Sequence, residues 1–160
     1  MAKIIHLALA NDRQLCDTAE PYYKYCPATV LENQRFRLYW DNPILTDKTI
    51  MANRPDVILI DKQARVVQLL DFSIPNGHNL LSKYEEKISK YMPLSVEIKR
   101  IWAMDIVYIR PIIMSVTGVV PESLIKHLKE LKLPDHLLHT MQKSVILSTC
   151  NIVRSFRNME

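Results

Sequence analysis

The sequence predicts an α/β domain with an αβββαβ core: a mixed central sheet flanked by helices, followed by two additional C-terminal helices. Three observations carry this. Apolar residues recur at spacings of three and four near the start, in the middle and at the end of the chain; β-branched runs lie between them; proline and asparagine punctuate the borders. With 160 residues, 48% of them apolar, two glycines and no repetitive tract, the chain reads as one domain over residues 1–160 with one core.

The opening MAKIIHLALA brings Ile4, Ile5, Leu7, Ala8 and Leu9 together, which predicts a short helix ending near residues 11–13. Residues 17–33 hold Pro21, Pro27 and the tyrosines 22, 23 and 25, and read as an ordered loop. QRFRLYW alternates, with Phe36, Leu38 and Trp40 on one side and Arg35, Arg37 and Tyr39 on the other, as in a half-buried strand. Asp41, Asn42 and Pro43 turn the chain into a less regular segment. Val57–Ile60 and Val66–Ile74 then form a hairpin around Asp61, Lys62 and Gln63, apolar enough to be covered on both faces. Pro75, Asn76 and Gly77 stop the second strand.

A long helix is expected from Asn79 to Trp102, interrupted near Pro93, with Leu81, Tyr84, Ile88 and Tyr91 on its apolar stripe. Residues 106–116 read as another strand. Pro121 with Glu122 starts a helix through Leu131, and Pro134 precedes a last helix whose Leu138, Met141, Val145, Thr149, Ile152 and Phe156 form one stripe.

Composition narrows the function. Cys16, Cys26 and Cys150 are odd in number and without CxxC spacing, no signal-peptide pattern or 18-residue apolar run occurs, and neither they nor the five histidines have zinc-ligand spacing. The chain reads as soluble, reducing and intracellular, with no membrane partner. A formal charge of +4 and a pI near 9.0 suit a phosphate-rich partner without establishing one.

The hairpin places Asp56 at the start of its outgoing strand and Asp71 near the end of its returning strand, so both reach one sheet edge. Two close carboxylates either protonate or hold a cation. Their hard oxygens suit Mg²⁺ or Mn²⁺, completed by water, a carbonyl such as that of Phe72 and a substrate phosphate, an arrangement able to activate water for in-line attack on a phosphodiester. Asp56 capping a turn after Pro55 and Asp71 pairing with a lysine is equally a structural arrangement, and spacing alone leaves both readings open. The following helix carries Lys83, Lys87 and Lys90 on one strip, from which a lysine can assist the water or the pentacovalent phosphate; as a solvated face they would instead pair with Glu85 and Glu86.

NRPDVILID, LLDFSIPNGHN, EEKISKY and IKRIWAMDIVYIRPIIMSVTGVVPESL, with PYYKYCPATVLENQRFRLYWDNPILTDKTI and MQKSVILSTCNIVRSF around them, resemble the restriction-like endonuclease domain of site-specific non-LTR retrotransposons. That domain belongs to the PD-(D/E)XK superfamily, and the resemblance spans nearly the whole chain. It implies a restriction-endonuclease-like core, metal-dependent nicking of target DNA, a nuclear setting, and in the parent elements a linked reverse transcriptase. Arg54 corresponds to the basic member of the [K/R]PD motif, Asp56 to the first acid and Asp71 to the second.

The superfamily's usual lysine position is Ser73 here; the retrotransposon family carries that lysine in the next helix, where Lys87 matches best, then Lys90, then Lys83. The glutamate that many members carry in their first helix is missing, with His6, Glu20 or Glu32 as substitutes. No zinc-knuckle pattern or polymerase signature is present, so the chain reads as an excised fragment or a stand-alone copy. Duplex or branched DNA would be met by Arg35, Arg37, Lys48, Arg54, Lys83 and Lys90, whereas Lys99, Arg100 and Arg110 read equally well as plain surface charges. The tyrosine cluster either stacks on bases or packs as a satellite. Two alternatives stand beside the nuclease: an inactive DNA-binding module of the same fold, and a resolvase-like homodimer acting on junctions.

Overall fold

The computed structural model describes residues 1–159. Helix α1 (Ala2–Asp12) leads to strands β1 (Val30–Glu32), β2 (Phe36–Trp40), β3 (Val57–Asp61) and β4 (Val66–Ser73). A 3₁₀ turn at Gly77–Asn79 opens into α2 (Leu80–Ile101), followed by β5 (Ile106–Ile113), α3 (Glu122–Glu130) and α4 (His136–Arg157). The result is α/β: one mixed sheet in the order β1-β2-β3-β4-β5 with four helices around it. β1 to β4 are antiparallel neighbours, and β5 joins β4 in parallel because α2 carries the chain back across the sheet.

The alternation of the strands sorts side chains onto two cores. Leu38, Val57, Leu59, Leu70 and Ile112 face α1, α3 and α4, whose Ile5, Leu9, Leu128 and Met141 cover them. Ile58, Ile60, Val67 and Leu69 face α2, meeting Tyr91, Leu94 and Ile98. All four of Val57–Ile60 are buried, as an apolar run covered on both faces requires.

Several expectations are corrected. The loop over 17–33 ends in a short strand, because Val30, Leu31 and Glu32 find ladder partners in Tyr39, Leu38 and Arg37. β4 ends at Ser73 and β5 at Ile113, where their pairing ends. Pro93 does not interrupt α2. It removes one backbone donor, but Tyr91, Leu94 and Ile98 on either side are buried on the sheet, and this burial outweighs the local cost. Leu81 is 70% exposed, off the stripe. In α4 the apolar stripe is buried only as far as Val145; Ile152 and Phe156 are 63% and 74% exposed because the helix runs past the body of the sheet.

The ends of the sheet matter for the site. β4 and β5 finish together, so residues 114–119 lie at the same end as Asp71. There Met114 N–H donates to the Ser73 carbonyl at 3.3 Å, and Gln142 of α4 holds the Gly118 carbonyl at 2.9 Å. The hairpin turn at Asp61 lies at the other end.

Candidate active site

The β3–β4 register fixes the relation of the two aspartates. Val57 is opposite Leu70, so the next pair outward is Asp56 opposite Asp71, and residues opposite one another share a face. That face is the one covered by α2. Asp56 lies just beyond the first residue of β3, where its carbonyl still accepts Asp41 N–H at 2.8 Å.

Asp71 is 4% exposed, and α2 supplies its partners. Tyr91 Oη donates to Asp71 Oδ1 at 2.6 Å, and Lys87 Nζ makes a direct ion pair with Oδ2. These residues are four apart, the spacing that puts them on one helix face. Asp71 Oδ2 has no hydrogen bond of regular geometry among the described residues, so the ammonium charge is its main compensation. Burial raises the Tyr91 phenol well above its ordinary range, as do its bond to Asp71 and the charge there.

Asp56 is held differently. Its Oδ2 accepts the Phe72 N–H at 2.8 Å. Because the Ser73 carbonyl faces β5, strand alternation turns the backbone groups of Phe72 the other way, toward Asp56. The Phe72 carbonyl leaves on that side too. Burial raises the Asp56 carboxyl above its usual range; the Phe72 bond and Lys87 lower it, while Asp71 and then Asp41 raise it further. Two acids and one lysine thus share a half-enclosed corner.

Of the helix lysines, only Lys87 reaches the carboxylates. Lys83 pairs with Glu86 at 2.6 Å, and the Lys90 ammonium lies 4.6 Å from the centre of the Tyr91 ring. Both are on the flank of the same corner. Arg54 is near it as well, paired with Asp41 at 2.8 Å.

Three expected DNA contacts lie elsewhere. Arg35 forms a two-pronged pair with Asp61, and Arg37 pairs with Glu32 at 2.6 Å, both at the hairpin-turn end. The five residues of β3 separate the ends by about 16 Å. They are displaced because β2 runs antiparallel to β3, which sends its start away from Asp56. Lys48 faces Glu97 at 3.4 Å, ten residues and about 15 Å along α2 from Lys87.

The proposed substitutes for the missing first-helix glutamate do not reach the site. Glu32 is bound to Arg37 and Lys62, Glu20 is exposed in a loop, and His6 is buried on the opposite sheet face. His6 Nδ1 is 3.0 Å from Tyr25 Oη and its ring meets Trp40 edge-on, so His6 and Tyr25 are core groups. Tyr22 and Tyr23 pack edge to face, with Tyr23 69% exposed.

Sequence reasoning missed two features. Tyr91 was placed among apolar contacts, although a buried tyrosine hydroxyl needs a partner. Arg110 is 5% exposed, not a surface charge. It is ion-paired with Glu130, hydrogen-bonded to Gln68, and donates to His127 Nδ1 at 3.1 Å. Its position amid the apolar run IVYIRPII was the available signal.

The donor set suits a hard divalent cation: two facing carboxylates and a carbonyl on the same side. Among the described residues no three His, Cys, Asp or Glu side chains cluster, so protein carboxylates alone would not complete a shell. Among the described residues no helix is long and apolar enough to cross a membrane. Compared with known proteins, the chain matches no protein-family model and no curated protein.

Proposed function

We propose that this chain is a Mg²⁺- or Mn²⁺-dependent DNA endonuclease with a restriction-endonuclease-like core, akin to the nuclease domain of site-specific non-LTR retrotransposons. The observation that carries the reading is the meeting of Lys87 with Asp71 at the strand end that also holds Asp56. A structural ion pair needs one acid for its lysine. The second acid is unfavourable here, since burial and Asp71 both raise its carboxyl, and a bound cation would remove that cost. The element order from α1 to β5, with β4 and β5 parallel, supports the fold assignment.

Asp56, Asp71 and the Phe72 carbonyl would hold the cation, which when bound supplies Lewis-acid polarisation of the scissile phosphodiester. Tyr91 fixes one Asp71 oxygen and Lys87 holds the other. The Phe72 amide orients Asp56. Lys87, 15% exposed, is near enough to solvent to share its ammonium between Asp71 and the phosphate oxygens on which charge accumulates. Lys83, Lys90 and Arg54 flank the corner and would take neighbouring phosphates.

The deciding experiment incubates the full chain with supercoiled plasmid and with four-way-junction DNA, in Mg²⁺ or Mn²⁺ and then in EDTA. Nicking that requires the metal and vanishes in Asp56→Asn and Asp71→Asn is the expected result. Binding without cleavage at any metal concentration would identify an inactive DNA-binding module instead. Cleavage restricted to junctions would identify a resolvase-like nuclease, with a homodimer to be sought by its mass in solution.

A further inference from the structure

Lys87 lies on the weakly held half of its helix. No residue of α2 from Leu80 to Lys90 is fully buried, whereas Tyr91, Leu94 and Ile98 are. Helical turns with so little burial open readily unless something ties them down.

One turn before Lys87, Tyr84 lies flat against His127 of α3, ring centroids 5.9 Å apart and planes inclined by 10°. Tyr84 Oη is 3.3 Å from His127 Nε2. The contact reaches across the edge strand β5 and joins helices packed on opposite faces of the sheet.

His127 is itself fixed. Arg110 Nη1 is 3.1 Å from its Nδ1, and an arginine has only donors. Nδ1 is therefore the acceptor, the ring is neutral, and its one proton sits on Nε2, which donates to Tyr84 Oη. Burial, with the Arg110 charge beside it, lowers the His127 pKa to about 4 and so maintains this neutral form. Arg110 is anchored in turn by Gln68 of β4 and Glu130 of α3. A chain of bonds thus runs from β4, one strand in from the sheet edge, to the turn of α2 preceding Lys87.

We infer that Tyr84 and His127 are positioning residues which clamp the first half of α2 to the sheet edge and thereby hold Lys87 at Asp71. This rests on the reading of Lys87 as the phosphate-facing cation. The clamp touches neither carboxylate, and Tyr84 shares the helix face of Lys87 three residues on.

The test reads the lysine directly. The full chain, in EDTA and at one fixed pH, is exposed to trace acetic anhydride, and acylation of Lys83, Lys87 and Lys90 is compared by peptide mass spectrometry. Tyr84→Ala is expected to raise the Lys87 rate by about fivefold, the size of effect a local opening produces, with Lys83 and Lys90 unchanged. His127→Leu should reproduce it. Tyr84→Phe keeps the stacked ring and loses only the hydroxyl, so a smaller rise is expected, and it decides alone should Tyr84→Ala fail to fold.

A Lys87 rate equal to wild type in these variants overturns the inference, as does an equal rise at all three lysines, which would mean general fraying. In nicking assays Tyr84→Ala should lower kcat about tenfold with KM for DNA little changed, the signature of a misplaced catalytic group. If the wild-type chain does not nick DNA, the proposed function falls while the acylation result still judges the clamp.

Discussion

Lys87 of α2 and Asp71 of β4 form a direct ion pair in which the lysine side chain is 15% and the aspartate 6% exposed. A pair so enclosed is costly to break from one side, because the remaining charge keeps its burial and loses its compensation. Here the remaining charge would be Asp71, left with Tyr91 and facing a second acid across the hairpin.

Lys87→Met therefore tests structure and chemistry together. Urea unfolding should show a loss of about 3 kcal/mol in the metal-free protein. If the nuclease reading holds, kcat for nicking should fall by roughly 10²–10³, the usual effect of removing one charge-stabilising donor, with DNA affinity nearly unchanged. Lys90→Met, whose ammonium rests on the Tyr91 ring, should do neither to a comparable degree.

Divalent cations should stabilise the wild-type chain and not its acid variants. A ligand that binds only the folded state raises Tm with concentration, and EDTA should reverse the rise. Asp56→Asn should abolish the metal response while making the metal-free protein more stable, because it removes a carboxyl that burial and Asp71 disfavour in its charged form. Asp71→Asn should abolish the response and lower stability, since it leaves Lys87 buried without its counter-charge. Differential scanning fluorimetry with and without Mg²⁺ reads all three.

The hairpin and its two acids were legible because they depend on local pattern: an apolar run, a short turn and fixed strand alternation. On spacing alone Lys87 was one of three, since helix periodicity cannot say which lysine leans inward, and the family resemblance ranked it first; in the structure Tyr91, one turn on and buried against the same aspartate, marks Lys87 as the one that meets Asp71. Arg35 and Arg37 were misplaced because their strand's direction relative to β3 is a tertiary fact. Pro93 was misread because propensity counts the lost hydrogen bond and not the burial on both sides. The Arg110–His127–Tyr84 chain joins residues on three separate elements, and no spacing rule connects them.

Acid should weaken the fold through two histidines. Burial lowers His6 from 6.5 to about 4, and burial with the Arg110 charge does the same to His127. Between those values the unfolded chain binds protons that the folded chain does not, so this stability is complete above pH 6.5 and is lost as the pH falls toward 4. Each histidine contributes about 3 kcal/mol over the window. Asp56 acts in the opposite sense, its raised carboxyl favouring the folded state at lower pH. Urea unfolding across the window should show a net fall toward acid, and His6→Leu should flatten it.

Gly118 is held in place by two separate requirements. Its φ of +83° lies in the left-handed region, and a Cβ there would come within 2.9 Å of the Ile146 side chain. Gly118→Ala should cost about 1–2 kcal/mol from the backbone conformation alone, with a steric cost added. Pairing it with Ile146→Val, which removes the Cδ1 at 2.9 Å and keeps the Cγ1 at 3.1 Å, should recover part of the steric share and leave the backbone share, and a double-mutant cycle in urea measures the part recovered.

The two ends of the sheet should differ in their response to DNA. Each phosphate contact adds nearly one unit to the slope of log affinity against log salt, so removing one lowers the slope by about one. Lys83→Ala, Lys90→Ala and Arg54→Ala, beside the carboxylate corner, should each lower it and weaken binding to all sequences alike. Arg35→Ala and Arg37→Ala should leave the slope unchanged, because both lie at the hairpin-turn end, about 16 Å from the carboxylate corner. Fluorescence anisotropy over a salt series, with the same labelled duplex for every variant, makes the comparison. A slope that falls for Arg35→Ala and holds for Lys90→Ala would move the DNA to the hairpin-turn end and away from Lys87.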